Sequence, residues 1–275
     1  MVLNLDTNFN PYPNKRTIEY ESFIFYGGEP HIKILSSIDK EELVTITHRI
    51  QSFNDFGLLL LAIDALHRLG IKNLSVFIPY FPAARQDRVM VGGEPLSVKV
   101  YTEILNALNL NKITIYDPHS EVTPALLNNC IVISNHNFIE QVIADIGEEV
   151  FLISPDGGAL KKIYKLTGAL GGIEVVECSK SRDVKTGHIS DFKVYAEDLQ
   201  GKTCLIVDDI CDGGGTFIGL AKELKNKNAG KLYLAVSHGI FSKGLDELSQ
   251  YFDKIYSTDS FKSIESTKHF LQFNL

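Results

Sequence analysis

The sequence predicts an α/β protein of two domains, each built on a mainly parallel sheet flanked by helices. From about residue 56, helix-length segments alternate with short apolar runs, the signature of α/β layering. Those runs suit strands buried on both faces, as in parallel sheets. A chain of 275 residues, 44% hydrophobic, is also longer than the ~100 to 200 residues of one ordinary domain.

Taken in order, FGLLLLAIDALHRLG over 56–70 has helical length and ends in a glycine suited to a helix C-terminus. LSVFIPYF over 74–81 fits a buried strand. Residues 96–110 follow Pro95, a good first helical residue, and 112–116 read as the next strand. Further strands are expected at 131–133, 149–153, 173–177, 203–207 and 231–236, with helices between most of them. A boundary near residues 146 and 147 divides the chain into domains 1–146 and 147–275, both with alternating elements and with no clear repeat between them.

A formal charge of −7 and a pI near 5.6 argue against nucleic-acid or anionic-membrane partners, which call for a basic surface. No apolar run approaches the ~18 residues of a spanning helix, and MVLNLDTNFNPYPNKRT lacks the apolar centre of a signal peptide, so the expected location is cytoplasmic. Cys130, Cys178, Cys204 and Cys211 form neither a CxxC pair nor zinc spacing and read as reduced core thiols; Cys211 alone lies inside a motif.

That motif is TCLIVDDICDGGGT over 203–216, where an apolar strand runs into acidic residues, glycines and a threonine before the helix FIGLAKELKNK. Glycines let backbone amides approach a phosphate, and a helix start favours the anion. Asp208 and Asp209, at the strand's end, suit two vicinal ribose hydroxyls or a hydrated cation.

The stretch resembles the phosphoribosyl pyrophosphate motif shared by type I phosphoribosyltransferases and ribose-phosphate pyrophosphokinases. FYGGEPHIKI from 25, PYFPAARQDR from 79, DPHS from 117 and SPDGG from 154 follow in the chain order of the pyrophosphokinases; GEPLSVK from 93 and SHGIFSKG from 237 extend the resemblance over about 20–260. It implies two phosphoribosyltransferase-like domains and a homo-oligomer with its nucleotide site near a subunit contact.

Residue by residue, the resemblance implies that Phe25, Gly27, Gly28, Glu29, Arg85, Gln86 and Asp87 form the ATP site, with Phe25 stacking on adenine. Read alone, Phe25 is a core residue of the strand SFIFY and Arg85 a surface charge, although a guanidinium can both stack and pair with phosphate. His119 and Asp156 match residues associated with magnesium and the pyrophosphate turn. Magnesium prefers oxygen ligands and keeps its waters, so contact through water or phosphate suits His119 as well as direct ligation. Lys180 and Arg182, in CSKSRDVKTGH, match paired cations of a mobile catalytic loop; read alone, they are a solvated charge run. Asp212, Gly213, Gly214, Gly215 and Thr216 would hold the 5-phosphate of ribose 5-phosphate, and Asp208 and Asp209 its ribose hydroxyls.

The implied reaction is attack of the anomeric hydroxyl of ribose 5-phosphate on the β-phosphorus of MgATP, giving phosphoribosyl pyrophosphate and AMP. Positioning and charge stabilisation would carry the catalysis. The sequence departs from the family at Gly27, where Asp or Asn is common; at the shorter SPDGG turn; at Gly213, where Thr is usual; and at both termini, which are shorter. A catalytically silent regulatory homologue and a phosphoribosyltransferase are the alternative readings. Lys180, Arg182, His119, Asp156 and the acidic loop speak against the first, and the RQD and FYGGE segments against the second.

Overall fold

The computed structural model describes residues 1–182 and 189–275, with the side chains of 181–191 outside the description. The chain divides into two compact units, Met1–Ile133 and Ser134–Leu275. No helix among the described residues is long and apolar enough to cross a membrane.

In the first unit, β1 (Val2–Asn4), β4 (Val44–Thr47), β5 (Leu74–Ile78), β6 (Lys112–Tyr116) and β7 (Cys130–Ile133) form a wholly parallel sheet in that spatial order. The hairpin β2 (Tyr20–Ile24) and β3 (Pro30–Ile34) is separate and antiparallel. Every residue of β4 and β5 is buried, which explains their continuous apolar character. Helix α1 (Phe53–Arg68) presents Phe56, Leu59, Ile63 and Leu66 to this core at helical spacing. It starts earlier than expected because Ser52 and Asp55 form a capping box. Helix α2 (Ser97–Asn106) is shorter than expected: Pro95 precedes the non-helical cap residue Leu96, and Asn109 turns left-handed at φ 52°. Short α3 (Val122–Leu126) leads into β7.

The second unit begins before the expected boundary. Helix α4 (His136–Ile146) packs Phe138, Ile139 and Val142 with Val150, Leu152 and Leu205, so it belongs to the second core. Lys254 and Tyr256 donate to Asp145 near its end at 2.7 and 2.9 Å. The sheet runs β10 (Ile189–Val194), β9 (Val175–Arg182), β8 (Phe151–Ser154), β11 (Cys204–Cys211), β12 (Leu232–Gly239), β13 (Lys254–Thr258), β14 (Phe270–Phe273). Within this sheet the β9–β10 pair is antiparallel and the other described pairs are parallel. Helices α5 (Leu160–Ala169) and α6 (Gly215–Asn226) complete the layers. Thus the α/β class with two mainly parallel sheets is observed.

Candidate active site

Sheet topology locates a ligand site in the second unit. From β8 the chain passes to β9 on one side, whereas β11 lies on β8's other side. Such a switch point leaves a crevice at the carboxyl ends of the strands, where α/β proteins bind ligands. The turn carrying Asp156 follows β8 and the glycine-rich loop follows β11, so topology brings together two segments that the sequence separates.

Strand β11 runs further than expected, through the acidic residues to Cys211, and pairs with β12 over the same span: Asp208 faces Val236 and Cys211 faces Gly239. The side chains of Asp208 and Asp209 therefore project from a rigid, buried strand. Desolvation, reinforced by the charges of Asp209 and Asp156, pushes the Asp208 carboxyl well above the usual range. Asp208 is the one half-buried residue of the otherwise buried strand β11. Its Oδ1 accepts from the Asp209 amide at 2.9 Å. Crowded carboxyls of this kind favour a partner that brings hydroxyl donors or positive charge.

Asp156 is fully engaged. Oδ1 accepts from the amides of Gly158 at 2.9 Å and Ala159 at 3.1 Å, ordering the turn before α5, and Oδ2 pairs with Lys180 Nζ at 2.7 Å. Burial pushes this carboxyl up, but Lys180 and the two amides outweigh burial and hold it below the ordinary carboxylate range. Lys180 lies on β9, not in a loop. The backbone of Arg182 ends the same strand, while its side chain and residues 183–188 of the expected loop lie outside the described residues.

The glycine-rich turn is shaped by Gly214, which serves as the N-cap of α6 in the left-handed region at φ 78°; a β-carbon there would also press on Leu248 at 3.0 Å. Gly214 has no side chain with which to cap α6, and a helix start of this kind favours an anion. Asp212 and Gly213 form the half-buried approach to this turn.

The expected nucleotide segments all lie in the first unit. Phe25 opens the β2–β3 turn and is 52% exposed, which overturns its reading as a core residue. Its ring meets Phe23 edge-on at 4.7 Å and His31 at 5.7 Å, leaving an aromatic surface open to solvent. The turn closes through Phe25 N to Glu29 O and Gly28 N to Phe25 O bonds. A β-carbon on Gly27 would lie 2.5 Å from a Glu29 carboxylate oxygen, so the glycine makes room for Glu29 to fold back over the turn.

Arg85 and Gln86 are exposed, but Asp87 is buried and accepts from Arg88 Nε at 3.0 Å. Burial pushes the Asp87 carboxyl up, yet Ser120, Arg88 and the nearby His119 hold it below the usual range. Asp87 thereby ties the RQD loop to the DPHS turn, where His119 is half-buried. Ala83 and Asp117 take positive φ values of 57° and 35° in these same segments, backbone strain of the kind concentrated at functional loops.

No cluster of three His, Cys, Asp or Glu suited to a metal occurs among the described residues. The available oxygen donors fit a divalent ion that arrives with phosphates and keeps its waters better than one held in an all-protein cage. Sequence reasoning missed Lys243, whose stem lies against Gly213.

Residues 11–108 match the N-terminal domain of ribose phosphate pyrophosphokinase, and 126–272 match the phosphoribosyl transferase domain. Ribose-phosphate pyrophosphokinases from Pyrococcus furiosus and Thermococcus kodakarensis are 32% and 30% identical, over 86% and 89% of this chain and 84% and 86% of theirs. The Mycoplasma genitalium relative is 28% identical over 90% of this chain and 74% of its own. The crystal structure of phosphoribosylpyrophosphate synthetase from Mycobacterium smegmatis superposes with a TM-score of 0.84 over 100% of this chain and 94% of that one, at 22% identity, a likeness of fold.

Proposed function

The chain belongs to the ribose-phosphate pyrophosphokinase family, and from that premise we propose that it transfers pyrophosphate from MgATP to the anomeric hydroxyl of ribose 5-phosphate. The observation that carries this reading is the presence of the pyrophosphokinase N-terminal domain alongside the phosphoribosyl transferase domain. A phosphoribosyltransferase does not call for the first, so that alternative is not favoured.

In this reading, the uncapped start of α6 and the loop 212–216 receive the 5-phosphate, while Asp208 and Asp209 accept from the ribose hydroxyls. Phe25 offers the adenine a stacking face, and Arg85, Gln86 and Glu29 contact the nucleotide. Asp87 has a positioning role because its carboxylate is turned inward to Arg88. The anomeric oxygen bonds to the β-phosphorus as that phosphorus loses its bond to the oxygen bridging to the α-phosphate; the hydroxyl proton passes to water, and AMP leaves with the bond's electron pair. Lys180, with Arg182, offsets charge on the reacting phosphates. Asp156 holds Lys180 ready in the absence of substrate. His119 in the first unit and Asp156 in the second would each suit a divalent ion held through phosphate or water, and such an ion would supply charge neutralisation on the phosphates.

The exposed hairpin residues Phe23, Ile24, Phe25 and Tyr26 support a homo-oligomer whose contact borders the nucleotide site. The chain's acidic balance supports a cytoplasmic small-molecule enzyme over a nucleic-acid or membrane binder.

The test is ribose 5-phosphate-dependent AMP and phosphoribosyl pyrophosphate formation with magnesium, for wild type and Lys180→Ala. Product from the wild type and its collapse in the variant support the assignment. A folded, nucleotide-binding wild type that makes no product would move the reading to a regulatory homologue.

A further inference from the structure

We infer that Lys243 is a ligand of the sugar 5-phosphate, filling the berth left open by Gly213. This rests on the reading of residues 212–216 as the phosphate cradle. A β-carbon built on Gly213 would lie 3.8, 3.6 and 3.5 Å from Cγ, Cδ and Cε of Lys243, so the lysine stem runs along the open side of the glycine and ends one bond further out, at the ammonium. These are ordinary van der Waals contacts. A branched side chain at 213 would compete for the same space.

The backbone fixes this approach. Beyond β12, Ile240 N and Phe241 N both donate to Cys211 O, at 2.9 and 3.1 Å, and Ser242 N donates to Asp212 O at 3.1 Å. Phe241, buried in the core with φ 43°, locks the turn. The 240–242 segment is therefore stitched to the first residues of the phosphate loop, and the next side chain is delivered over Gly213.

Charge supplies the reason for a cation here. Asp208, Asp209 and Asp212 crowd the approach to the loop, and a phosphate dianion arriving at backbone amides alone would meet their repulsion. Lys243 is exposed, makes no ion pair with another described residue, and its stem atoms lie nearest a β-carbon placed on the glycine. An ammonium so placed binds phosphate as a mobile point charge. Lys243 thus offsets the loss of the hydroxyl donor that a threonine at 213 would bring.

Calorimetric titration of ribose 5-phosphate and, separately, MgATP into the full chain tests this in wild type, Lys243→Met, which keeps the stem, and Lys243→Arg. The expected result is about 10-fold weaker ribose 5-phosphate binding in Lys243→Met, the low end for a charge-assisted contact at an exposed site, with MgATP binding unchanged and Lys243→Arg close to wild type. Gly213→Thr combined with Lys243→Ala should recover part of the loss, because the vacated berth then admits the threonine hydroxyl. Equal ribose 5-phosphate affinity in wild type and Lys243→Met, a parallel loss for both ligands, or no ribose 5-phosphate binding by wild type overturns the inference. A wild type that binds ribose 5-phosphate but makes no pyrophosphorylated sugar rejects the synthetase reading while leaving these comparisons decisive for Lys243.

Discussion

Lys180 Nζ lies 2.7 Å from Asp156 Oδ2, joining β9 to the turn that follows its neighbour β8 in the second sheet. The pair fixes the Lys180 ammonium beside the turn, and the amides of Gly158 and Ala159 hold the Asp156 carboxylate in place through Oδ1. Lys180→Ala should lower kcat about 10²- to 10³-fold, the scale of losing one preorganised charge-stabilising group, with ribose 5-phosphate affinity nearly unchanged. Steady-state kinetics with each substrate varied checks this. A rise in KM for ribose 5-phosphate at constant kcat would place Lys180 at the wrong substrate.

Thiol chemistry gives a second prediction. Burial pushes the Cys178 and Cys211 thiols up to about 12 and Cys204 to about 11, with the carboxylates of Asp208 and Asp212 adding to the effect at Cys211. At pH 7.5 a thiol reagent should modify the native protein slowly, Cys130 first because it is half-buried, and label all four cysteines only in denaturant. Rapid labelling of Cys211 in the folded protein, read by mass spectrometry, contradicts the placement of β11.

Gly230 sets the register of the strand that carries the acidic pair. A β-carbon there would overlap the Gly201 carbonyl oxygen, while Gly230 N donates to Lys202 O at 2.9 Å just before β11 and β12 begin. Relief requires a backbone shift and not a rotamer change. Gly230→Ala should cost about 2 kcal/mol or more in urea unfolding, despite the stabilisation that Gly→Ala brings at unstrained sites. An unchanged midpoint would show that the two loops do not approach this closely.

His48 predicts an acid sensitivity located in the first unit. It is 4% exposed; burial pushes its pKa below the ordinary value of about 6.5, with Asp55 and Asp6 offsetting part of the shift. Because the folded value is depressed, the unfolded chain takes up the proton first. The stability linked to His48 is present above about pH 6.5 and is lost as the pH falls through the lowered folded value. Urea midpoints between pH 7.5 and 5.5 should fall less in His48→Gln than in wild type, and parallel curves would contradict the burial of a neutral ring.

Much of this was legible in the sequence where chemistry and strand pattern coincide. The run ending in Asp208 and Asp209, the three glycines and the following helix are contiguous, so their order announces a strand, a phosphate turn and a helix start. Legibility failed where tertiary context decides. Ile210 and Cys211 read as loop beside acidic neighbours, yet pairing with β12 extends β11 through them. Helix α4 is amphipathic and fits either domain by pattern; only its packing on Val150 and Leu152 assigns it to the second. Phe25 resembles a core aromatic in SFIFY because periodicity does not reveal that the hairpin stands apart from the five-stranded sheet. Strands β13 and β14 are short and mixed in polarity, and Lys243, although inside SHGIFSKG, has no assigned role until backbone bonds lay its loop beside Gly213.

The central claim is tested most directly by following the label from ATP carrying ³²P at its β-phosphorus in the presence of ribose 5-phosphate and magnesium. Attack at the β-phosphorus predicts that label appears in phosphoribosyl pyrophosphate, with one unlabelled AMP released per product. Label retained in ADP, or no transfer by folded protein that binds both substrates, would contradict the account.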